Sequence, residues 1–248
     1  MTFPSDTPAP DAIARILDAP TDRPFVVGQL GQSLDGRIAT PTGESRWING
    51  RTALIHLHAI RAAVDAVVVG VGTVVADDPQ LNVRLVPLPA GGGHPARIVL
   101  DPRGRAPHDA RCFDPTTGGS CLQIVGAEEL DGFPTEAGPP SERERVVISS
   151  KTGRFAPDAV VAVLFERGYR KLLIEGGAAT VSAFIDAGAI DRLHVLVAPL
   201  LIGSGTPGLC LPPIDKISEA QRPQCHPYVF DDGDVLFDCD LRTKATKA

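Results

Sequence analysis

DAVVVGVGTVVADDPQLNVR, residues 65–84, is the stretch on which the fold turns. Its apolar run, Ala66-Val67-Val68-Val69, shows no polar alternation, which is the pattern of a strand buried on both faces. Gly70 and Gly72 then interrupt it, Thr73 is a helix-capping type, and one helical turn leads to Asp77-Asp78 before Pro79. A buried strand that delivers a backbone turn and then charges is how α/β proteins build a ligand site.

Working outward, short apolar runs predict strands at 25–30, 97–100, 121–125, 145–148, 171–174 and 193–199. Helices are expected at 51–64, capped by Asn49, at 157–167 with Pro157 in the first position, and after Glu175-Gly176-Gly177 to about residue 187. The segment 228–241 reads as a hairpin turning at Asp231-Asp232-Gly233. The fold class is therefore α/β, a mixed and mostly parallel central sheet flanked by helices, with an antiparallel C-terminal hairpin. We expect one domain over 24–245. Residues 1–23, rich in Pro and Thr, read as a flexible arm with one short helix near 11–19. The Gly/Pro/Glu-rich stretch 126–144 reads as a mobile loop.

With 248 residues and 43% hydrophobic content, the chain has ample material for a core, and its formal net charge is -6. No overall basic field exists to collect nucleic acid, so a phosphate-bearing partner must be held by local arginines. Five cysteines, at 112, 121, 210, 225 and 239, form no CxxC pair and are odd in number, which suits free thiols in a reducing cytoplasm. No run of 18 apolar residues and no signal-like N-terminus is present, so a cytoplasmic protein without a membrane partner is expected.

Several chemistries are excluded by missing residues. The G-x-G-x-x-G opening at Gly70 fails at Val75, no Walker A sequence occurs, and Gly31-Gln32-Ser33-Leu34-Asp35 lacks the last glycine of a nucleophile elbow. No histidine starts an H-x-E and no P-C-x-x-C follows, which removes a zinc deaminase. His56 and His58 diverge on the expected helix, so they read as packing residues rather than metal ligands.

The positive signals are two strand ends, Gly70-Val71-Gly72-Thr73 and Glu175-Gly176-Gly177-Ala178-Ala179-Thr180, that each lead through small residues into a helix N-terminus. Either alone reads first as a glycine turn for close strand–helix packing; two in one chain favour a dinucleotide, whose phosphates suit free N–H groups. Asp77 lies one turn from Thr73, and Glu175 ends a strand at the rim of the sheet. Arg61 shares a helical face with Leu54, Leu57, His58 and Val64. Its stem can lie on the core with the head in water, or its head can point at an anion.

These motifs resemble the reductase domain of bacterial bifunctional riboflavin biosynthesis proteins. The resemblance rests on SLDGRIA (33–39), GESRWI (43–48), the segment 57–84, RIVLD (97–101), LLIEGG (172–177) and VAPLLIGSG (197–205). It implies a dihydrofolate-reductase-like fold and an NADPH-dependent reductase that converts the ribosyl group of a phosphoribosylaminopyrimidine to ribityl. It further implies that Ser45, Arg61 and Arg84 grip the substrate phosphate, with Leu81 and Glu175 also lining the substrate site. Gly31, Trp47, Thr73, Asp77 and the turn Gly177, Ala178, Ala179, Thr180 and Val181 contact the cofactor by the same analogy, with Asp77 and Glu175 as catalytic candidates and no metal. Arg103 and Arg105 are candidates for the cofactor's 2′-phosphate. Family members are commonly dimers, so a homodimer is expected, with the C-terminal hairpin offering an edge to pair.

The chain departs from the family pattern at Gln29, where a lysine is usual, and the deaminase domain that often precedes this module is not seen, which suggests a stand-alone reductase. Two alternatives stay open: a dihydrofolate-type or other small-molecule reductase, and a nucleotide-binding protein without catalysis.

Overall fold

The computed structural model describes residues 8–127 and 144–244. The loop expected at 126–144 lies almost wholly outside the described residues, as does the beginning of the expected arm. In chain order the elements are α1 (Pro10–Leu17), β1 (Phe25–Ser33), β2 (Arg37–Ala39), α2 (Arg51–Ala63), β3 (Ala66–Gly70), α3 (Val71–Asp77), β4 (Ala96–Asp101), β5 (Cys121–Gly126), β6 (Glu144–Ile148), α4 (Pro157–Glu166), β7 (Lys171–Glu175), α5 (Ala178–Asp186), β8 (Arg192–Ala198), β9 (Thr206–Pro207), β10 (Pro223–Val229) and β11 (Val235–Lys244).

Nine strands make one sheet in the order β10-β11-β8-β1-β7-β3-β4-β5-β6, while β2 and β9 form a separate ribbon. From β8 to β6 every neighbouring pair is parallel, and β11 joins β8 antiparallel. The mixed, mostly parallel sheet with an antiparallel C-terminal hairpin is thus as expected. Its central strands are apolar on both sides because both sides are covered. Val67 and Val69 of β3 pack with Ile60 of α2 and Ile13 and Ile16 of α1, whereas Ala66 and Val68 pack with Leu164 of α4 and Phe184 of α5.

Two expectations need correction. Residues 10–17 are no loose arm: Ala12, Ile13 and Ile16 recur at helical spacing and are fully buried. On its other side, Arg15 Nη1 donates to Tyr228 Oη at 2.8 Å and to Asp238 Oδ2 at 3.1 Å. The second correction concerns α2, whose N-cap is Gly50 and not Asn49. The cap comes from the hairpin turn, where Asp232 Oδ2 accepts from Thr52 N–H at 2.9 Å and Asp234 Oδ2 from Gly50 N–H at 2.8 Å. A Cβ at Gly50 would lie 2.4 Å from Asp232 Oδ2, so glycine is what admits the remote cap. Asn49 instead reaches Asp234 and the Leu196 carbonyl with Nδ2.

The hairpin also leaves β10 as an edge strand. Phe230 N–H donates to the Asp234 carbonyl at 2.8 Å, and the regular register back to Gln224 places Cys225, Pro227 and Val229 at positions whose N–H faces away from β11. Pro227 offers no donor there, and Pro223 begins the strand beyond a register shift, which together blunt the edge against pairing.

Candidate functional site

The two glycine turns singled out in the sequence lie side by side at the C-terminal ends of β3 and β7, strands that are paired in register. They interlock. Gly177 N–H donates to Thr73 Oγ1 at 3.1 Å, a Cβ at Gly176 would lie 2.8 Å from that oxygen, and a Cβ at Gly70 would lie 2.5 Å from Thr180 Oγ1. Gly176 also has φ +107°, which a side chain would resist. Each threonine therefore occupies the notch left by the other turn's glycine.

This interlocking divides the predicted cofactor residues. Thr73 holds the turn, and Gly177 N–H is already spent on it. The Val181 side chain lies in the core and its N–H donates to Gly177 O. Ala178 and Ala179, in the first turn of α5, keep N–H groups with no acceptor inside the helix. Gly72 is exposed, with nothing within 4 Å of where a side chain would start. Gly31 lies under Asn49, whose Oδ1 would be 2.1 Å from a Cβ there. Trp47 is 80% exposed with φ +68°, an uncommon conformation for a large residue. Ser45 Oγ donates to Asp77 Oδ1 at 3.4 Å, which joins a predicted substrate residue to a predicted catalytic one.

The Arg61 question resolves in favour of an anion, and the anion is in the chain. Arg61, 5% exposed, donates from Nε to Glu175 Oε2 at 2.9 Å and from Nη2 to Glu175 Oε1, while Nη1 donates to the Asn82 carbonyl at 3.0 Å. Three of its five N–H groups are thus committed. The predicted phosphate grip by Arg61 is weakened accordingly, and Arg61 and Glu175 form one bidentate unit.

Arg84 is exposed and is held differently. Its Nη1 donates to Asn82 Oδ1 at 2.9 Å, and its backbone N–H donates to His58 Nδ1 at 3.1 Å. Its guanidinium is pushed below its ordinary value by burial first and then by the like charges of Arg61 and Arg111. Arg111, which no sequence signal marked, is placed by its N–H donating to Asp78 Oδ1 at 2.8 Å. Asn82 was likewise missed: its carbonyl takes Arg61 and its side chain takes Arg84. His58, 2% exposed, is pushed down to about 3 by burial and then by Arg61 and Arg84, so it is the neutral acceptor that the Arg84 N–H needs.

Leu81 does not line this surface. Its side chain is 1% exposed within the core and its φ is +58°, so it turns the chain and aims Asn82 and Arg84 outward. Arg103 and Arg105 follow β4 at the same end of the sheet as the glycine turns; Arg103 Nε would be 2.7 Å from a Cβ at Gly153, and Arg105 N–H donates to Asp101 Oδ1 at 2.8 Å. Gln29 is 7% exposed, in register with Glu175 on one side and His194 on the other. Among the described residues no group of three or more His, Cys, Asp or Glu is placed to hold a metal ion, and no helix is long and apolar enough to cross a membrane.

The family profile of the RibD C-terminal domain matches residues 24–220. The riboflavin biosynthesis protein RibD of Aquifex aeolicus is 33% identical over 184 residues, covering 74% of this chain and 49% of that protein. The 2,5-diamino-6-ribosylamino-4(3H)-pyrimidinone 5′-phosphate reductase of Methanothermobacter thermautotrophicus is 33% identical over 181 residues, covering 73% of this chain and 80% of that one. Among solved structures, Acinetobacter baumannii RibD aligns at 29% identity with a TM-score of 0.72, covering 89% of this chain and 58% of its own. The chain spans about half the length of the RibD proteins it matches. A profile matched across most of the sequence, on a sheet that aligns with a solved RibD, shows that the chain belongs to the RibD C-terminal domain family.

Proposed function

We propose that the chain is an NADPH-dependent reductase that converts the ribosyl group of 5-amino-6-(5-phosphoribosylamino)uracil to ribityl. The observation that carries this reading is Arg84, an arginine whose side-chain partner is a neutral amide and on which the like charges of Arg61 and Arg111 outweigh the Glu175 carboxylate. A substrate phosphate is the kind of group that relieves such crowding.

The opposite part of the rim fits a dinucleotide, because Ala178 and Ala179 present N–H groups and Gly72 leaves open space. Thr73 and Gly177 shape that turn, Gly31 and Trp47 complete the cofactor side, and Arg103 and Arg105 are the cations available for a 2′-phosphate. A bound nicotinamide supplies hydride to the sugar carbon. The chain's own residues position and protonate. Arg84, steadied by Asn82 and His58, holds the phosphate. The Arg61–Glu175 unit forms the adjoining wall, and Ser45 orients Asp77. Both Glu175 oxygens accept from Arg61, which commits that carboxylate to holding the guanidinium in place. Asp77 receives only the Ser45 hydroxyl among the described residues, and we assign it the proton passed from water.

The test is anaerobic NADPH oxidation with three acceptors: this uracil phosphate, the diaminopyrimidinone phosphate named for the Methanothermobacter relative, and dihydrofolate. Turnover of a phosphoribosyl pyrimidine is expected. Turnover of dihydrofolate alone overturns the reading, as does cofactor binding without oxidation. The choice between the two pyrimidines is assigned to Gln29, whose neutral amide stands beside Glu175. A homodimer is also proposed, and the blunted β10 edge directs it away from strand pairing there; a monomeric mass in solution refutes it.

A further inference from the structure

Two of the five cysteines face each other. Cys225 on β10 and Cys239 on β11 are directly opposite in register, and their sulfur atoms are 3.1 Å apart. The Phe230 N–H bond to the Asp234 carbonyl and the proline at 227 fix the class of this pair, because Pro227 shares the alternation of Cys225 and has no N–H to give β11. Cys225 and Cys239 therefore occupy a non-hydrogen-bonded site, where opposed Cα atoms approach to about 4.5 Å. That spacing is inside the range of about 4.4–6.8 Å that a disulfide spans.

We propose that Cys225 and Cys239 are a dithiol that closes to a cross-strand disulfide when the protein meets a peroxide, stapling the C-terminal hairpin. The two thiols are unequal in the way such a reaction uses. Cys225 is exposed and meets the oxidant, whereas Cys239 is 8% exposed and its S–H donates to the Cys225 sulfur. Burial first, and then Cys225, push the Cys239 thiol up to about 12, so it keeps its proton for that bond. The Cys225 thiolate attacks one peroxide oxygen; an S–O bond forms, the O–O bond breaks, and hydroxide leaves to become water. The Cys239 sulfur then attacks the sulfenic sulfur; the S–S bond forms, the S–O bond breaks, and a second water leaves with the Cys239 proton. Two thiols and one peroxide become one disulfide and two waters. The neighbouring Asp238 binds Arg15 and Arg192, and the turn between the cysteines caps α2, so the staple fixes an anchor for both helices.

The pair is readable in one fragment, since trypsin cuts after Lys216 and Arg242 but not between Arg222 and Pro223. The full chain is treated with one equivalent of hydrogen peroxide, quenched, labelled with N-ethylmaleimide and digested. We expect fragment 217–242 to appear unlabelled and two hydrogens lighter than its dithiol form, with dithiothreitol restoring both labels. Cys112, Cys121 and Cys210 are expected to stay labelled after unfolding. The oxidised protein is expected to melt roughly 5 °C higher, and both effects vanish in Cys225→Ser and in Cys239→Ser. A fragment still carrying two labels overturns the proposal, as does Cys225 found as a sulfinic acid or bonded to Cys210 or to another molecule. A disulfide without a rise in melting temperature overturns the staple.

Discussion

Asn82 ties the arginines of the rim together, with its carbonyl on Arg61, its side-chain oxygen on Arg84 and its Nδ2 on the Thr117 carbonyl at 3.5 Å. Removing the amide in Asn82→Ala frees the Arg84 head without touching the Arg61 contact, which is to the main chain. We expect KM for the phosphorylated substrate to rise about tenfold with kcat little changed, the cost of roughly one charge-assisted hydrogen bond. Arg84→Ala is expected to raise KM further, on the order of a hundredfold. An unaltered KM in Arg84→Ala sinks the phosphate assignment. At this scale the sequence was half legible. The 3.6-residue periodicity put Arg61 on an apolar face and left its head either in water or on an anion; the anion lies 114 residues away on β7, a distance that no local pattern reports. Leu81 shows the converse, since a resemblance places it at the site whereas its backbone, not its side chain, does the work.

Helices α1 and α2 depend on contacts from the far end of the chain. Asp232→Ala removes the side chain that caps α2 and is expected to destabilise the protein by about 0.5–2 kcal/mol, read from the denaturation midpoint. Ile16→Ala opens a cavity between α1 and the sheet and is expected to cost about 2–5 kcal/mol; a loss near zero would mean that α1 is not docked. The strands were legible because each is a short apolar run between glycine, proline or charged residues. The α2 cap was not, because Gly50 carries no side chain to announce it and the carboxylate that serves it comes 180 residues later. The docking of α1 was written in Ala12, Ile13 and Ile16, but the Pro/Thr-rich flanks outweighed that stripe.

Across the whole molecule, buried histidines set the response to acid. His56 is pushed down to about 3 by burial and then by His194, and His58 is pushed down to a similar value. The Pro8 carbonyl can only accept, so His56 Nδ1 carries hydrogen toward it and Nε2 accepts from His194 Nδ1 at 3.1 Å. Unfolded histidine takes a proton near pH 6.5 and these folded ones do not. Stability is therefore full above that pH and falls as pH drops from about 6.5 toward 3, by about 1.4 kcal/mol per unit for each residue. A second loss begins as pH falls through the ordinary carboxylate value, where unfolded aspartate takes a proton and Asp238, at about 2 in the fold, does not: burial opposes its charge, but its contacts with His194 and Arg192 outweigh that. A flat denaturation midpoint between pH 7 and 5 contradicts the histidine account. The sheet order itself governs how the chain is made. Strand β1 lies between β7 and β8, so Phe25 waits for Lys171, about 150 residues later, before either neighbour exists. At about 5–20 residues per second, a ribosome needs on the order of ten to thirty seconds to supply them. During that interval an apolar segment has no mate, which makes it a target for chaperones and for aggregation at high expression rates. An inner strand of the finished sheet is thus left bare for most of the chain's synthesis.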